Sequence, residues 1–122
     1  MKTILIADDD RNLARLYQQE LSDEGYQVEV VHDGRQAIVH ITQNPPDLLV
    51  LDIRMPGMDG IEAMHQILGQ NSHVPIILNT AYSDQKDNFM TWSADAYVIK
   101  SSDLTELKTR IQEVLERRET QT

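Results

Sequence analysis

Five short apolar runs, rich in β-branched residues, alternate with five segments that read as helices, and this alternation leaves few folds open. The runs are Thr3 to Ala7, Gln27 to His32, Asp47 to Leu51, Pro75 to Thr80 and Ala96 to Lys100. A helix between each pair of strands returns the chain to the same end of the sheet, so the strands run parallel through right-handed crossovers. Leu48-Leu49-Val50-Leu51 is apolar throughout, as a strand covered on both faces must be. The expected fold is therefore α/β, a (βα)5 doubly wound five-stranded parallel sheet with helices on both faces. At 122 residues the chain fits a single domain, 1-122, with the alternation reaching to about residue 118 and a polar tail over 119-122.

Four of the helical segments carry clear signals. The first places Leu13, Leu16, Tyr17 and Leu21 on one stripe and ends near Gly25. The second, Arg35 to Gln43, shows Ala37, Ile38 and Ile41 and stops at Asn44-Pro45-Pro46. The third opens at Asp59 with Glu62 three residues on, an acidic variant of the capping box, and carries Ile61, Met64, Ile67 and Leu68. The fifth opens with Asp103 and Glu106 in the same relation and carries Leu104, Leu107, Ile111, Val114 and Leu115. The fourth, Asp84 to Trp92, has sizeable apolar residues only at Phe89, Met90 and Trp92, and is expected to be the most loosely held.

Composition removes several function classes. With no cysteine there is neither a disulfide nor a thiolate metal site. Acidic residues outnumber basic ones 20 to 11, for a net charge of −9, which opposes direct nucleic-acid binding. The apolar start is cut short by three aspartates, too early for a signal peptide, and no stretch approaches a membrane span. A cytoplasmic location without membrane contact is the expectation.

In a parallel sheet of this kind all strand C-terminal ends open on one edge, and ligands bind there. Asp8 and Asp9 follow the first strand, Asp52 the third, Thr80 ends the fourth and Lys100 the fifth. Singly, each has a plainer reading: the Asp8-Asp9-Asp10 run as a helix cap, with Asp10 in that role, and the others as solvated or self-bonded loop residues. Together they gather three carboxylates, a hydroxyl and an ammonium. Two carboxylates about 4 Å apart repel by about 4 kcal/mol at an effective dielectric near 20, so the cluster calls for a cation. All-oxygen ligands, without cysteine or a suitably spaced histidine pair, favour Mg2+ over zinc.

The run Asp52-Ile53-Arg54-Met55-Pro56-Gly57-Met58-Asp59-Gly60 resembles the signature around the phospho-accepting aspartate of response-regulator receiver domains. Asp8-Asp9, Thr80-Ala81, Ala94-Asp95-Ala96-Tyr97 and Lys100 stand at corresponding strand ends, so the likeness covers essentially the whole chain. The resemblance implies the flavodoxin-like strand order 2-1-3-4-5. It makes Asp52 the nucleophile that takes a phosphoryl group from a phosphohistidine on a sensor histidine kinase or histidine phosphotransfer protein. It makes Asp8, Asp9, Asp52 and the backbone carbonyl of Arg54 the ligands of Mg2+, for which Mn2+ can substitute. Lys100 and Thr80 would hold phosphoryl oxygens, and Thr80 and Tyr97 would switch a face built from the fourth helical segment, the fifth strand and the fifth helical segment. A downstream effector domain or protein would read that face, through which two copies can also pair. Arg54 and Tyr82, two residues beyond Asp52 and Thr80, would tune the phosphoryl lifetime. Such a protein catalyses only its own phosphorylation and dephosphorylation and is not a turnover enzyme.

The sequence departs from the family pattern in three places. Ser101 follows Lys100 where the family usually has proline in a cis bond, which puts the aim of Lys100 in question. Ser93 stands where the family usually has glycine, which constrains the turn into the fifth strand. The interval from Thr80 to Lys100 is short, at the expense of the fourth helical segment, which points to an atypical partner or a weakened response. Two other readings therefore stand beside the first. One is a receiver-shaped interaction module independent of phosphate. The other is a haloacid-dehalogenase-like phosphohydrolase, disfavoured because Asp8-Asp9-Asp10 lacks that family's aspartate, spacer, aspartate, glycine order and the chain lacks a cap domain. Trp92 reads equally as a partner hot spot or a helix-end anchor. His32, His40, His65 and His73 are scattered and read as structural or solvated.

Overall fold

A computed structural model describes residues 1–55, 57–70, 73–81 and 94–120, the side chain of Thr120 excepted. Over these residues the elements are β1 (Thr3–Ala7), α1 (Arg11–Asp23), β2 (Gln27–Val31), α2 (Gly34–Gln43), β3 (Leu48–Leu51), α3 (Gly60–Gly69), β4 (Ile76–Thr80), β5 (Ala96–Ile99) and α4 (Thr105–Thr120). The fourth helical segment of the sequence, with Tyr82, Trp92 and Ser93, lies outside the described residues. The element α4 is thus the fifth segment of the sequence reading. It continues through Glu119 and Thr120, which the sequence assigned to a polar tail.

The five strands form one parallel sheet in the order β2-β1-β3-β4-β5. Side chains alternate across it and build two apolar layers. Ile4, Ile6, Leu48, Val50, Ile77 and Val98 pack under α1 and α4, with Tyr17, Leu21 and Ile111 among their partners. Leu5, Ala7, Leu49, Leu51, Ile76 and Leu78 pack under α2 and α3, against Ile41, Met64 and Ile67. The central strand β3 is buried at every residue, which is why its sequence shows no alternation.

Local chemistry sets the helix ends. Asp10 accepts from the Leu13 amide at 3.1 Å, Asp33 from Gln36 at 2.8 Å and Asp59 from Glu62 at 2.9 Å, each satisfying a donor that the first turn leaves free. The chain leaves α1 through Gly25 at φ +98°, where a side chain would be strained, and the Tyr26 amide bonds back to the Leu21 carbonyl. Asp103 differs from the capping expectation. It accepts from the Thr105 amide at 2.9 Å and from the Thr105 hydroxyl, so it grips the residue two positions on rather than Glu106.

Two expected core residues are not in the core. Leu16 is 41% exposed and Leu68 37% exposed, because α1 and α3 bury narrower stripes, centred on Ala14, Tyr17 and Leu21 and on Ala63, Met64 and Ile67. Leu21→Ala is therefore expected to cost about 2–5 kcal/mol, the range for emptying a buried leucine site, and Leu16→Ala no more than about 0.5 kcal/mol. Urea denaturation of the two variants checks the contrast.

Candidate phosphoacceptor site

The register of the sheet assembles the site. Ala7 pairs with Leu51 and Leu51 with Leu78, so the next residues, Asp8, Asp52 and Asn79, stand abreast at the C-terminal edge. The Asp52 amide donates to the Ala7 carbonyl at 3.0 Å and the Lys100 amide to the Thr80 carbonyl at 2.7 Å, which carries the ladder one step past the strands. The start of α3 closes the edge. Gly60 lies so near the Asp52 backbone that a Cβ there would collide with the Asp52 carbonyl, and the Gly60 amide donates to the Ile53 carbonyl at 2.6 Å. The glycine that ends the signature run is thus a packing requirement at the site.

Lys100 Nζ lies 2.8 Å from Asp8 Oδ2 and 2.9 Å from Asp52 Oδ2 and bridges the two acids. Ser101 after it does not turn it away, because Lys100 is held by the backbone bond to β4; no cis peptide bond occurs among the described residues. Asp8 is 2% and Asp52 6% exposed, whereas Asp9 is exposed beside them. The second Asp8 oxygen accepts from the Asp10 amide at 3.0 Å, and the Asp8 carbonyl faces His32 Nδ1 at 3.1 Å. The second Asp52 oxygen accepts a long hydrogen bond from the Arg54 amide, 3.4 Å. Burial raises the Asp52 pKa, the Lys100 hydrogen bond and charge offset part of that rise, and the Asp8 charge adds to it. Burial also works against the charge on Lys100, yet hydrogen bonds and attraction from Asp8 and Asp52 together outweigh it and leave its pKa raised.

Carboxylate oxygens of Asp8, Asp9 and Asp52 all lie within 4.8 Å of one another. Opposite ligands of an octahedral Mg2+ stand about 4.2 Å apart, so three acids at this spacing fit one hard divalent cation with small adjustment. Three carboxylates against one ammonium leave two negative charges, which such an ion would balance. Thr80 is fully buried at the tip of β4, and Tyr97 is half-buried on β5 against the layer under α2 and α3. Arg54 is exposed at the rim. Sequence reasoning missed two residues beneath the acids, Asn79, 2% exposed, and Tyr17, 1% exposed. Burial raises the Tyr17 pKa, and a polar contact with the Asn79 amide together with the Lys100 charge partly offsets the rise. That contact falls short of hydrogen-bond geometry, so among the described residues Asn79 Nδ2 is left without a full partner, a state that costs a buried donor about 1–3 kcal/mol. An asparagine breaking the apolar run Ile76-Ile77-Leu78 was the available signal.

The response regulator receiver domain family matches residues 4–112, and the chain belongs to it. It is a receiver domain of two-component signalling with a flavodoxin-like fold. Response regulator ArlR of Staphylococcus saprophyticus is 40% identical over 119 residues, 96% of this chain and 54% of the relative, so the chain spans about half the length of the curated relatives it matches. The crystal structure of response regulator TrrA from Thermotoga maritima in complex with Mg2+-BeF has a TM-score of 0.89 and 38% identity, covering 93% of this chain and 98% of that one. TrrA in complex with histidine kinase ThkA gives 0.88 and 38% identity, covering 94% and 99%. No described helix is long and apolar enough to cross a membrane.

A raised Asp52 pKa means the folded state holds that proton more tightly than the unfolded chain. The contribution of Asp52 is then most favourable below the ordinary value of 3.8 and is lost as pH rises through the folded value. Asp52→Asn mimics the protonated acid. In metal-free buffer its melting temperature should exceed that of the wild type by a few degrees at pH 7, and the gap should close as pH falls below that window. Thermal melts across pH check this, and a variant less stable at pH 7 contradicts it.

Proposed function

We propose that Asp52 accepts a phosphoryl group from a phosphohistidine on a sensor histidine kinase or a histidine phosphotransfer protein. The observation that carries the reading is the Lys100 ammonium bound at once to Asp8 and Asp52, with Asp9 beside them. An oxygen of Asp52 attacks phosphorus, the bond from phosphorus to the donor imidazole nitrogen breaks, and the imidazole leaves with a proton. The product is an aspartyl phosphate. The transition state is loose, so the protein mainly positions the reactants and stabilises charge. The Asp52 oxygen that accepts the long Arg54 amide bond, and not the one bound to Lys100, is the better-placed nucleophile. Lys100 turns from the carboxylates to the incoming phosphoryl oxygens, and the Thr80 hydroxyl binds another. Asp8, Asp9, Asp52 and the Arg54 carbonyl would hold Mg2+, or Mn2+ in its place, and the ion supplies positive charge to the phosphoryl oxygens.

The output follows from the same elements. Thr80 and Tyr97 sit on the paired strands β4 and β5, so movement of Thr80 toward the phosphoryl group opens room for Tyr97 to turn inward. The altered face, to which β5 and α4 contribute and to which the sequence reading adds the fourth helical segment outside the described residues, is read by an effector domain or protein, and two copies pair through it. The net charge of −9 makes direct nucleic-acid binding by this domain unfavourable. The domain works in the cytoplasm as one unit over 1-122 and is not a turnover enzyme. Similarity to TrrA, crystallised with Mg2+-BeF and with a histidine kinase, supports the donor and the ion.

Incubation with acetyl phosphate and Mg2+, followed by intact mass, should add one phosphoryl group to the wild type and none to Asp52→Asn. No gain in the wild type would leave the phosphate-independent interaction module, and sustained release of phosphate beyond one group per chain would favour the phosphohydrolase. Once the wild type is labelled, Arg54→Ala and Tyr82→Ala should each change the dephosphorylation rate severalfold, because each stands two residues beyond a proposed phosphoryl-binding residue, Asp52 or Thr80. Unchanged rates in both variants would remove them as lifetime residues.

A further inference from the structure

Four polar side chains are buried among the described residues: Asp8, Asp52, Thr80 and Asn79. The proposed reaction employs the first three. Asn79 is left over, and its Nδ2 is a buried donor without a partner. Contact with the buried Tyr17 hydroxyl gives the fold a use for a polar group there, but it does not account for a donor left unpaired, a cost that a side chain without Nδ2 would avoid.

Its position supplies a reason. Asn79 stands one step beyond the Leu51–Leu78 pair, abreast of Asp52. On β4 it shares the parity of Ile77, and on β3 Asp52 shares that of Val50, so both belong to the face covered by α1 and α4. Neighbouring strands are about 4.8 Å apart, a gap that two short side chains on one face can span. Tyr17 of α1 lies against the Asn79 amide and is near enough to feel the charges of Lys100, Asp8 and Asp52, so the pair adjoins the site on that face.

We propose that Asn79 is a positioning residue, a reserve donor whose Nδ2 bonds the Asp52 carboxyl oxygen that Lys100 releases when Lys100 turns to the phosphoryl group. The inference rests on the proposed phosphorylation of Asp52. In the unphosphorylated protein Asp52 Oδ2 is occupied by Lys100 at 2.9 Å, and the amide waits. In the phosphorylated protein the same oxygen is the carbonyl of an acyl phosphate, and a donor on the adjacent strand fixes its orientation. The amide therefore favours the phosphorylated form over the unphosphorylated one, as any group that differs in contact between two states must.

The test compares wild type, Asn79→Leu and Asn79→Ser at fixed acetyl phosphate and Mg2+, reading the phosphorylated-to-unphosphorylated ratio by intact mass and the melting temperature without phosphate. Asn79→Leu should lower that ratio about tenfold, the size of one lost hydrogen bond. Asn79→Ser, which keeps a short donor, should fall between. A merely structural asparagine, acting through Tyr17 alone, predicts a changed melting temperature with the ratio unchanged, and that result overturns the proposal. A second readout needs no variant: on adding acetyl phosphate and Mg2+ to the wild type, the Asn79 side-chain NH2 resonances should move downfield and exchange more slowly with water. Unchanged resonances in a protein that mass spectrometry shows to be phosphorylated overturn the proposal while leaving the phosphorylation reading intact. Failure of the wild type to gain mass overturns both.

Discussion

The contact of Lys100 with Asp8 and Asp52 is the interaction on which the functional end of this protein depends. Two carboxylates almost removed from solvent repel each other, and a single ammonium 2.8 and 2.9 Å away holds them in one hollow. The arrangement is not there for stability, since buried ion pairs seldom improve on apolar packing of the same volume. It leaves Asp52 with a raised pKa and Asp8, Asp9 and Asp52 with more negative charge than Lys100 can balance. A site with surplus negative charge and one movable cation is suited to taking up further cationic charge and then an anionic group. Remove the lysine and the acids have no common partner.

The sheet makes this contact inexpensive to position. Asp8, Asp52 and Asn79 each follow a strand position whose pairing is already set by apolar side chains below it. Lys100 is fixed by its own amide bond to Thr80. Packing energy from Ile4, Ile6, Val50, Ile77 and Val98 thus orders the polar row as a continuation of the same ladder. The close approach of Gly60 to the Asp52 backbone adds a steric stop from the other side. A cavity of about 790 Å³ at the opposite end of the sheet, bordered by Lys2, Pro46, Val74 and Leu115, has no comparable gathering of acids.

Much of this was legible in the chain itself, and the exceptions have physical causes. The strands matched within a residue or so because apolar β-branched runs ending at Asp, Thr or Lys have few other uses in an alternating pattern. The site acids followed from topology, since parallel strands present their C-terminal residues together. Leu16 and Leu68 were misplaced because helical spacing shows which residues share a face but not how wide a strip the neighbour covers. Doubt over Lys100 came from reading Ser101 as the residue that aims it, whereas the ladder to β4 does so. Asn79 and Tyr17 escaped notice because each is unremarkable alone. Only the fold brings a helix-one tyrosine and a strand-four amide under the same carboxylates.

The proposed link between the site and an output face runs through one strand pair. Lys100 bridges the acids, Thr80 ends β4, Tyr97 faces the other layer, and all three lie on or just beyond the β4–β5 ladder, where Leu78 pairs with Tyr97 and Thr80 with Ile99. β5 is the sheet's edge, hydrogen-bonded on one side only, and most of its residues are half-buried, in contrast to the fully buried β3 and β4. A strand held by one ladder and partial packing opposes displacement less than a central strand does. The other edge strand, β2, is likewise largely half-buried. What sets β5 apart is that it leads directly into Lys100, the residue that bridges the acids.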